Sequence, residues 1–361
     1  MGTVRARDSR CRTDPIPPVV QRCLHHFAAG LPGGARVRHM VTLAPGVWRL
    51  DREADAPVVA KQQLFGPLTR GSSHDLIMVE TLVFASLAQA GCPVPAVLGA
   101  DSRQQVIFLE HAGDLTLDEW IRTAGLEGRK TMGIRLAYAC RSIEAVMAER
   151  TPAFRRHAAP GCDRNALAVA WNAAGRQAEM GLAWFFRKQP ALIAPASAIL
   201  QRIVTTCAGR PPVLGTMDYN ARNVVISPER RPYFIEFATL GWDWPERRLA
   251  QYGLCLGSRD QEAGIISVLD PGSGLAYQRA GGNPKALEQH QVVLLLNAAA
   301  RLIQALRAPQ AGSNPALLQC WRHPRRRLAQ LGELLATRWN LDPDATRLRH
   351  CLRHVVVPMT T

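Results

Sequence analysis

The segment from Val213 to Phe237, VLGTMDYNARNVVISPERRPYFIEF, constrains the fold more than any other stretch of this chain. Val224, Val225 and Ile226 form a short β-branched run, Ser227 to Pro232 is a polar turn with two prolines, and Tyr233, Phe234 and Ile235 resume the apolar pattern up to Glu236. Two such runs around a turn of this composition predict a β-hairpin. A hairpin reverses the chain, so the residue before its first strand comes close to the residue after its second. Asn223 and Glu236 are therefore expected to face one site, with Asp218 beside them in the preceding loop. Oxygen donors at that spacing suit magnesium.

Upstream, Ala56 to Gln62, APVVAKQ, reads as a strand carrying Lys61, and VTLAPGVWRL with the charged turn DREAD before it predicts two antiparallel strands. Leu76, Ile77, Val79, Leu82, Val83 and Leu87 then give the broken apolar stripe of an amphipathic helix ended by Gly91. That helix carries Glu80, nineteen residues after Lys61. Packed across the strand, it would let Glu80 pair with Lys61; the alternatives are an exposed strand lysine and a solvated helix glutamate. Val106 to Glu110, VIFLE, is a buried-strand candidate, and Thr116 is an N-cap candidate with Glu119 as its capping-box partner.

In this order the motifs resemble the aminoglycoside phosphotransferase family, small-molecule kinases that share the protein-kinase fold. The family pattern runs His-Gly-Asp, four residues, Asn, a short hairpin, then Ile-Asp-Phe or Ile-Asp-Trp, and Gly91-Cys92-Pro93-Val94-Pro95 is similar to the family's Gly-x-Pro-Val-Pro connection. The resemblance covers roughly residues 40 to 255. It implies a bilobal α+β kinase-like fold, with an N-terminal extension over residues 1–38, a small β-rich N-lobe over 39–109 and a larger, mostly helical C-lobe over 110–361. It also implies roles. Asp218 would orient the acceptor hydroxyl and take its proton, Asn223 and Glu236 would hold metal, and Lys61, held by Glu80, would contact the nucleotide phosphates. Gly46 would lie in the phosphate-covering loop, and Glu110 at the hinge against which the nucleotide base rests. The cofactors implied are ATP or GTP with Mg2+.

Four positions depart from the pattern: Thr216 stands where the family has His, Met217 where it has Gly, Glu236 where it has Asp, and Arg248 at the aspartate of a Pro-x-x-Asp-Leu-Ala motif. The sequence therefore supports two readings. One is an O-phosphotransferase acting on a hydroxyl of a sugar, polyol or antibiotic-like metabolite. The other is a weakly active or inactive kinase-like protein that binds nucleotide or a partner.

Composition narrows the partners. The formal net charge is +15, from 44 basic and 29 acidic side chains, yet only Lys61, Lys130, Lys188 and Lys285 are lysine. A compositional bias towards arginine that spares position 61 fits a compact ammonium reaching phosphate oxygens. The basic residues are spread along the chain, with local clusters at Arg5 to Arg12, Arg150 to Arg164 and Trp321 to Arg327, and no nucleic-acid module is present, so nucleic acid is not expected as a partner. Neutral or anionic acceptors suit the charge better than a cationic aminoglycoside. No apolar run approaches the ~20 residues a membrane helix needs, and the N-terminus lacks an apolar signal core. Nine cysteines without a C-x-x-C pair read as reduced thiols, and the expected location is the cytoplasm. His25-His26 reads as a helix surface feature.

Beyond the hairpin the pattern turns helical. Gln291 to Ala308 predicts a strongly apolar helix, Leu318 to Trp339 another broken at Pro324, and the Pro/Gly-rich stretches Gly30 to Gly34 and Pro271 to Pro284 read as loops. Trp242 and Trp244 fit either sugar stacking or core packing, and Ala168 to Lys188, with Trp171, Met180, Trp184 and Phe185, fits a helix in the core or in an acceptor wall.

Overall fold

The computed structural model describes residues 16–27, 36–53, 56–254, 264–307 and 323–356. The chain divides into two compact units, Met1–Gln89 with Val94–Ala112, and Ala90–Pro93 with Gly113–Thr361. The N-terminal arginine cluster, the Gly30 to Gly34 stretch and the side chains of His25 and His26 lie outside the described residues, as do Trp321 and Arg322 of the third basic cluster.

In the first unit, helix α1 (Pro18–Phe27) precedes strands β1 (Val37–Ala44), β2 (Val47–Arg52) and β3 (Val58–Gln62). A short turn of helix, α2 (Gly66–Thr69), leads to α3 (Leu76–Gln89), and β4 (Val97–Asp101) and β5 (Val106–Glu110) complete an antiparallel sheet of order β1-β2-β3-β5-β4. The two strands expected before Lys61 are β1 and β2. Successive strand side chains alternate between faces. Val58 and Ala60 of β3 join Met40, Leu50, Val106 and Phe108 in a core closed by Val20, Cys23 and Leu24 of α1. Lys61 falls on the other face, toward α3. Asp75 caps α3 by accepting from Ile77 N (3.2 Å) and Met78 N (3.3 Å).

The second unit is mostly helical. Strand β6 (Leu115–Thr116) runs into α4 (Leu117–Thr123), started by the capping box of Thr116 and Glu119 that the sequence predicts. The long helices α5 (Leu126–Phe154), α6 (Arg164–Phe185) and α7 (Ile193–Ala208) follow. Then come β7 (Val213–Thr216), the hairpin β8 (Val224–Ile226) and β9 (Pro232–Phe234), β10 (Leu240–Asp243) and α8 (Pro245–Gly253). Helices α9 (Pro271–Arg279), α10 (Pro284–Arg307), α11 (Pro324–Ala336) and α12 (Pro343–Val356) finish the unit. Trp171, Leu182, Phe185, Leu200, Leu295, Leu296, Leu331 and Leu348 belong to one buried cluster drawn from α6, α7, α10, α11 and α12. Helix α10 is buried on all sides over Ala286–Val293, polar residues included, which places it at the centre of the unit.

Two expectations need correction. Pro271–Arg279 is a helix rather than a loop, because Asp270 caps it by accepting from Ser273 N (2.8 Å) and Pro271 occupies its first turn, where a missing N–H costs nothing. Residues 190–208 form a helical stretch long and apolar enough by length and composition to cross a membrane. Here Leu200, Ile203 and Cys207 of that stretch are buried in the core of the second unit.

Candidate active site

In the first unit the sheet and α3 bring Lys61 and Glu80 together. Lys61 Nζ donates to Glu80 Oε1 at 2.6 Å, and Gln63 Nε2 donates to Glu80 Oε2 at 2.6 Å. The Glu80 side chain is fully buried, whereas Lys61 keeps 12% exposure. Both carboxylate oxygens are thus occupied by donors from β3 and the residue after it, a geometry that fixes the ammonium while leaving it near the surface. Gly46 sits with φ +75° in the two-residue turn between Ala44 and Val47, the left-handed position that favours glycine. Its carbonyl accepts from Gln62 N at 2.7 Å, so the turn is tied to the strand of Lys61. Glu110 ends β5 with an exposed side chain; its N–H donates to Ala96 O (2.9 Å) and its Oε2 accepts from Ala96 N (3.4 Å).

In the second unit, β8 and β9 pair Val224 with Phe234, and Ile235 N donates to Asn223 O at 3.0 Å. Asn223 and Glu236 consequently leave the two ends of the hairpin side by side, as its sequence predicts. The loop carrying Asp218 is pinned at four points. Met217 N donates to Thr239 O (3.0 Å), and Asp218 N donates to Thr216 Oγ1 (3.3 Å). Asn223 Nδ2 donates to Asp218 O (2.9 Å), and Arg248 Nε donates to Thr216 O (3.1 Å). Since Asn223 spends its amide nitrogen on the loop, its amide oxygen is the atom left to serve as a ligand. Glu236 Oε1 accepts from Ala238 N at 3.2 Å. An amide oxygen and a carboxylate are hard donors of the kind Mg2+ takes, supplemented by phosphate oxygens. No group of three or more His, Cys, Asp or Glu placed to hold a metal occurs among the described residues.

The substituted positions have physical partners. Thr216 supplies the hydroxyl that holds the Asp218 amide, a bond a threonine makes at short range. Met217 packs on β10: a Cβ on Gly241 would lie 2.6 Å from its sulfur, so a glycine on the neighbouring strand makes the room. Arg248 is fully buried and paired with Glu144 of α5 at 2.7 Å.

Three residues that the sequence did not single out complete the surroundings of this loop. Asp243, buried at the end of β10, accepts from the Tyr219 hydroxyl and from Arg247 Nη1 (2.9 Å). Burial and then the Asp243 carboxylate push the Tyr219 phenol well above its ordinary value, so it remains a donor. The signal was present in DWPERR, where Asp243 and Arg247 have the i, i+4 spacing, and Tyr219 follows Asp218 directly. Trp244 is core: its ring lies 5.1 Å from Trp171 and 5.3 Å from His290. Trp242 has the Arg164 guanidinium over its ring at 4.2 Å. Trp171 is buried whereas Met180 is exposed, so α6 is a core helix with one wet face.

A profile of the phosphotransferase enzyme family matches residues 68–266, which takes in Glu80, Asp218, Asn223, Glu236 and Arg248. No curated protein matches the sequence. Among solved structures, an aminoglycoside phosphotransferase from Alicyclobacillus acidocaldarius subsp. acidocaldarius DSM 446 is similar at 13% identity, over 97% of this chain and 99% of that one, with a TM-score of 0.51. A macrolide 2'-phosphotransferase from Brachybacterium faecium, as apoenzyme, is similar at 17% identity over 84% and 97% of the two chains, with a TM-score of 0.52. At these identities the likeness is one of fold, and it agrees with the bilobal α+β kinase-like fold expected from the sequence.

Proposed function

Because the chain belongs to the phosphotransferase enzyme family, we propose that it transfers the terminal phosphoryl group of ATP or GTP to a hydroxyl of a small molecule. The observation that carries this reading is the pinned Asp218 loop with Asn223 and Glu236 side by side at the hairpin ends. In the proposed step the acceptor oxygen forms a bond to the terminal phosphorus, the bond from that phosphorus to the bridging oxygen breaks, and the nucleoside diphosphate leaves. Asp218 takes the hydroxyl proton. Lys61, held by Glu80, binds phosphate oxygens. Asn223 and Glu236 would hold Mg2+, which supplies charge neutralisation for the phosphates. Catalysis of this kind is positioning and electrostatics, which is what the buried Glu80 and the four-point tether of the Asp218 loop provide.

With a formal charge of +15, a neutral sugar or polyol, or an anionic acceptor, fits better than a polycation. A second reading, a nucleotide-binding protein without turnover, draws on Thr216, Met217, Glu236 and Arg248. Thermal unfolding with ATP or GTP, with and without Mg2+, followed by turnover of Asp218→Asn, separates the two. The transferase reading expects a magnesium-dependent rise in the midpoint that Asp218→Asn keeps, together with loss of phosphoryl transfer in that variant. A rise without transfer to any hydroxylated acceptor by the wild type favours the second reading, and no rise with either nucleotide rejects both.

A further inference from the structure

We propose that Arg248, charge-balanced by Glu144, is the positioning residue of the Asp218 loop, acting as a donor where the family pattern places an acceptor. This rests on the phosphotransferase reading for its consequence, though not for its geometry.

Four of the five guanidinium N–H directions have acceptors. Nε donates to Thr216 O (3.1 Å), Nη1 to Glu144 Oε2 (2.7 Å), and Nη2 to Val213 O (2.8 Å) and Gly241 O (3.2 Å). The three carbonyls belong to β7 and β10, the strand pair behind the loop, so one planar fork stitches both strands. The space is made by Gly215, where a Cβ would lie 2.6 Å from Arg248 Cζ. Arg248 is 0% and Glu144 5% exposed at the side chain, a burial that only a hydrogen-bonded pair can sustain.

The fork acts on the loop through a single peptide. The bond between Thr216 and Met217 has its carbonyl held by Arg248 and its N–H held by Thr239 O at 3.0 Å. The next amide, that of Asp218, is held by Thr216 Oγ1. Turning that peptide would carry the Asp218 carboxylate with it. An aspartate at position 248 is too short to reach these carbonyls and carries no donor, so the bonds the fork makes to Val213, Thr216 and Gly241 would be lost. Arginine makes all three and lysine does not, because an ammonium cannot span Val213, Thr216 and Gly241 at once.

The test uses full-length protein. Arg248→Lys keeps the charge opposite Glu144 but loses the fork. It should fold, retain the Mg2+-nucleotide rise in midpoint with the nucleotide KM nearly unchanged, and lose kcat by ~100-fold, the scale of a 1 Å misplacement. The exchanged pair Glu144→Arg with Arg248→Glu restores the opposite charges without donors at position 248 and should recover nothing. Recovery in the exchanged pair, or wild-type kcat in Arg248→Lys, would overturn the proposal, as would parallel losses of nucleotide binding and kcat. If the wild type binds Mg2+-nucleotide yet transfers phosphoryl to no acceptor, the functional reading fails. Amide hydrogen exchange of Arg248→Lys over residues 213–218 then decides the geometry: faster exchange confined to that segment supports it, and unchanged exchange overturns it.

Discussion

At the scale of single residues, Glu80 shows how little freedom the first unit leaves its lysine. Both of its oxygens accept hydrogen bonds, from Lys61 and Gln63, and its side chain has no exposure. Removing the carboxylate leaves two donors facing a cavity. Since Lys61 keeps 12% exposure and can turn toward water, Glu80→Ala should cost about 3 kcal/mol, the low end for breaking a buried pair. Denaturant unfolding reads this directly; a loss below about 1 kcal/mol would place the pair among surface ion pairs. Glu236→Ala should act differently. Its Oε1 accepts from Ala238 N two residues on, and in the proposed role of a Mg2+ ligand its loss should abolish the magnesium-dependent part of nucleotide stabilisation. The Lys61–Glu80 pair was legible because a strand and the next helix carry it. The Arg248–Glu144 pair was not: its members are 104 residues apart and no local spacing announces them.

At the scale of elements, the sequence spoke wherever a local rule was complete. Thr116 and Glu119 spelled out a capping box, and the hairpin of Val224 to Phe234 had its alternation and its turn. The helix at Pro271 went unread because its Gly and Pro content resembles a loop, although Asp270 before Pro271 is a helix-start signal. That cap is worth testing. Asp270 Oδ1 accepts from Ser273 N (2.8 Å), and Ser273 Oγ accepts from Asp270 N (2.8 Å). Asp270→Ala should lower stability by about 1 kcal/mol in denaturant titration, whereas Asp270→Asn, which keeps an acceptor, should cost much less. Equal costs for the two would mean that the charge, not the cap, supports α9. The apolar stretch of residues 190–208 makes the complementary point, since composition alone cannot tell a core helix from a spanning one.

At the scale of the molecule, the net charge of +15 belongs to the surface, because the buried arginines are matched by buried carboxylates. Arg248, Arg327 and Arg349 are among the largest fully buried side chains; Arg349 pairs with Glu288 at 3.1 Å, as Arg248 does with Glu144. Among the described residues, the same interior also holds a buried imidazole whose ring nitrogens find no hydrogen-bond partner. His290 of α10 is fully buried between Trp171 and Trp244, and neither ring nitrogen has a hydrogen-bond partner. Burial, then Arg247 and Arg210, hold its pKa well below the ordinary value. In the unfolded chain the imidazole takes up a proton near pH ~6.5, while the folded chain refuses it. Stability is thus complete above that pH and falls as pH drops, by about 1.4 kcal/mol for each further unit. His290→Phe keeps an aromatic ring between the two tryptophans and abolishes the titration. Between pH 7.5 and 5.5 the wild type should lose about 1.4 kcal/mol more than this variant, because only the wild type takes up a proton at this position on unfolding. Superimposable pH profiles would show that a proton reaches His290 in the folded protein, and the core of the second unit would then be wetter than its burial implies.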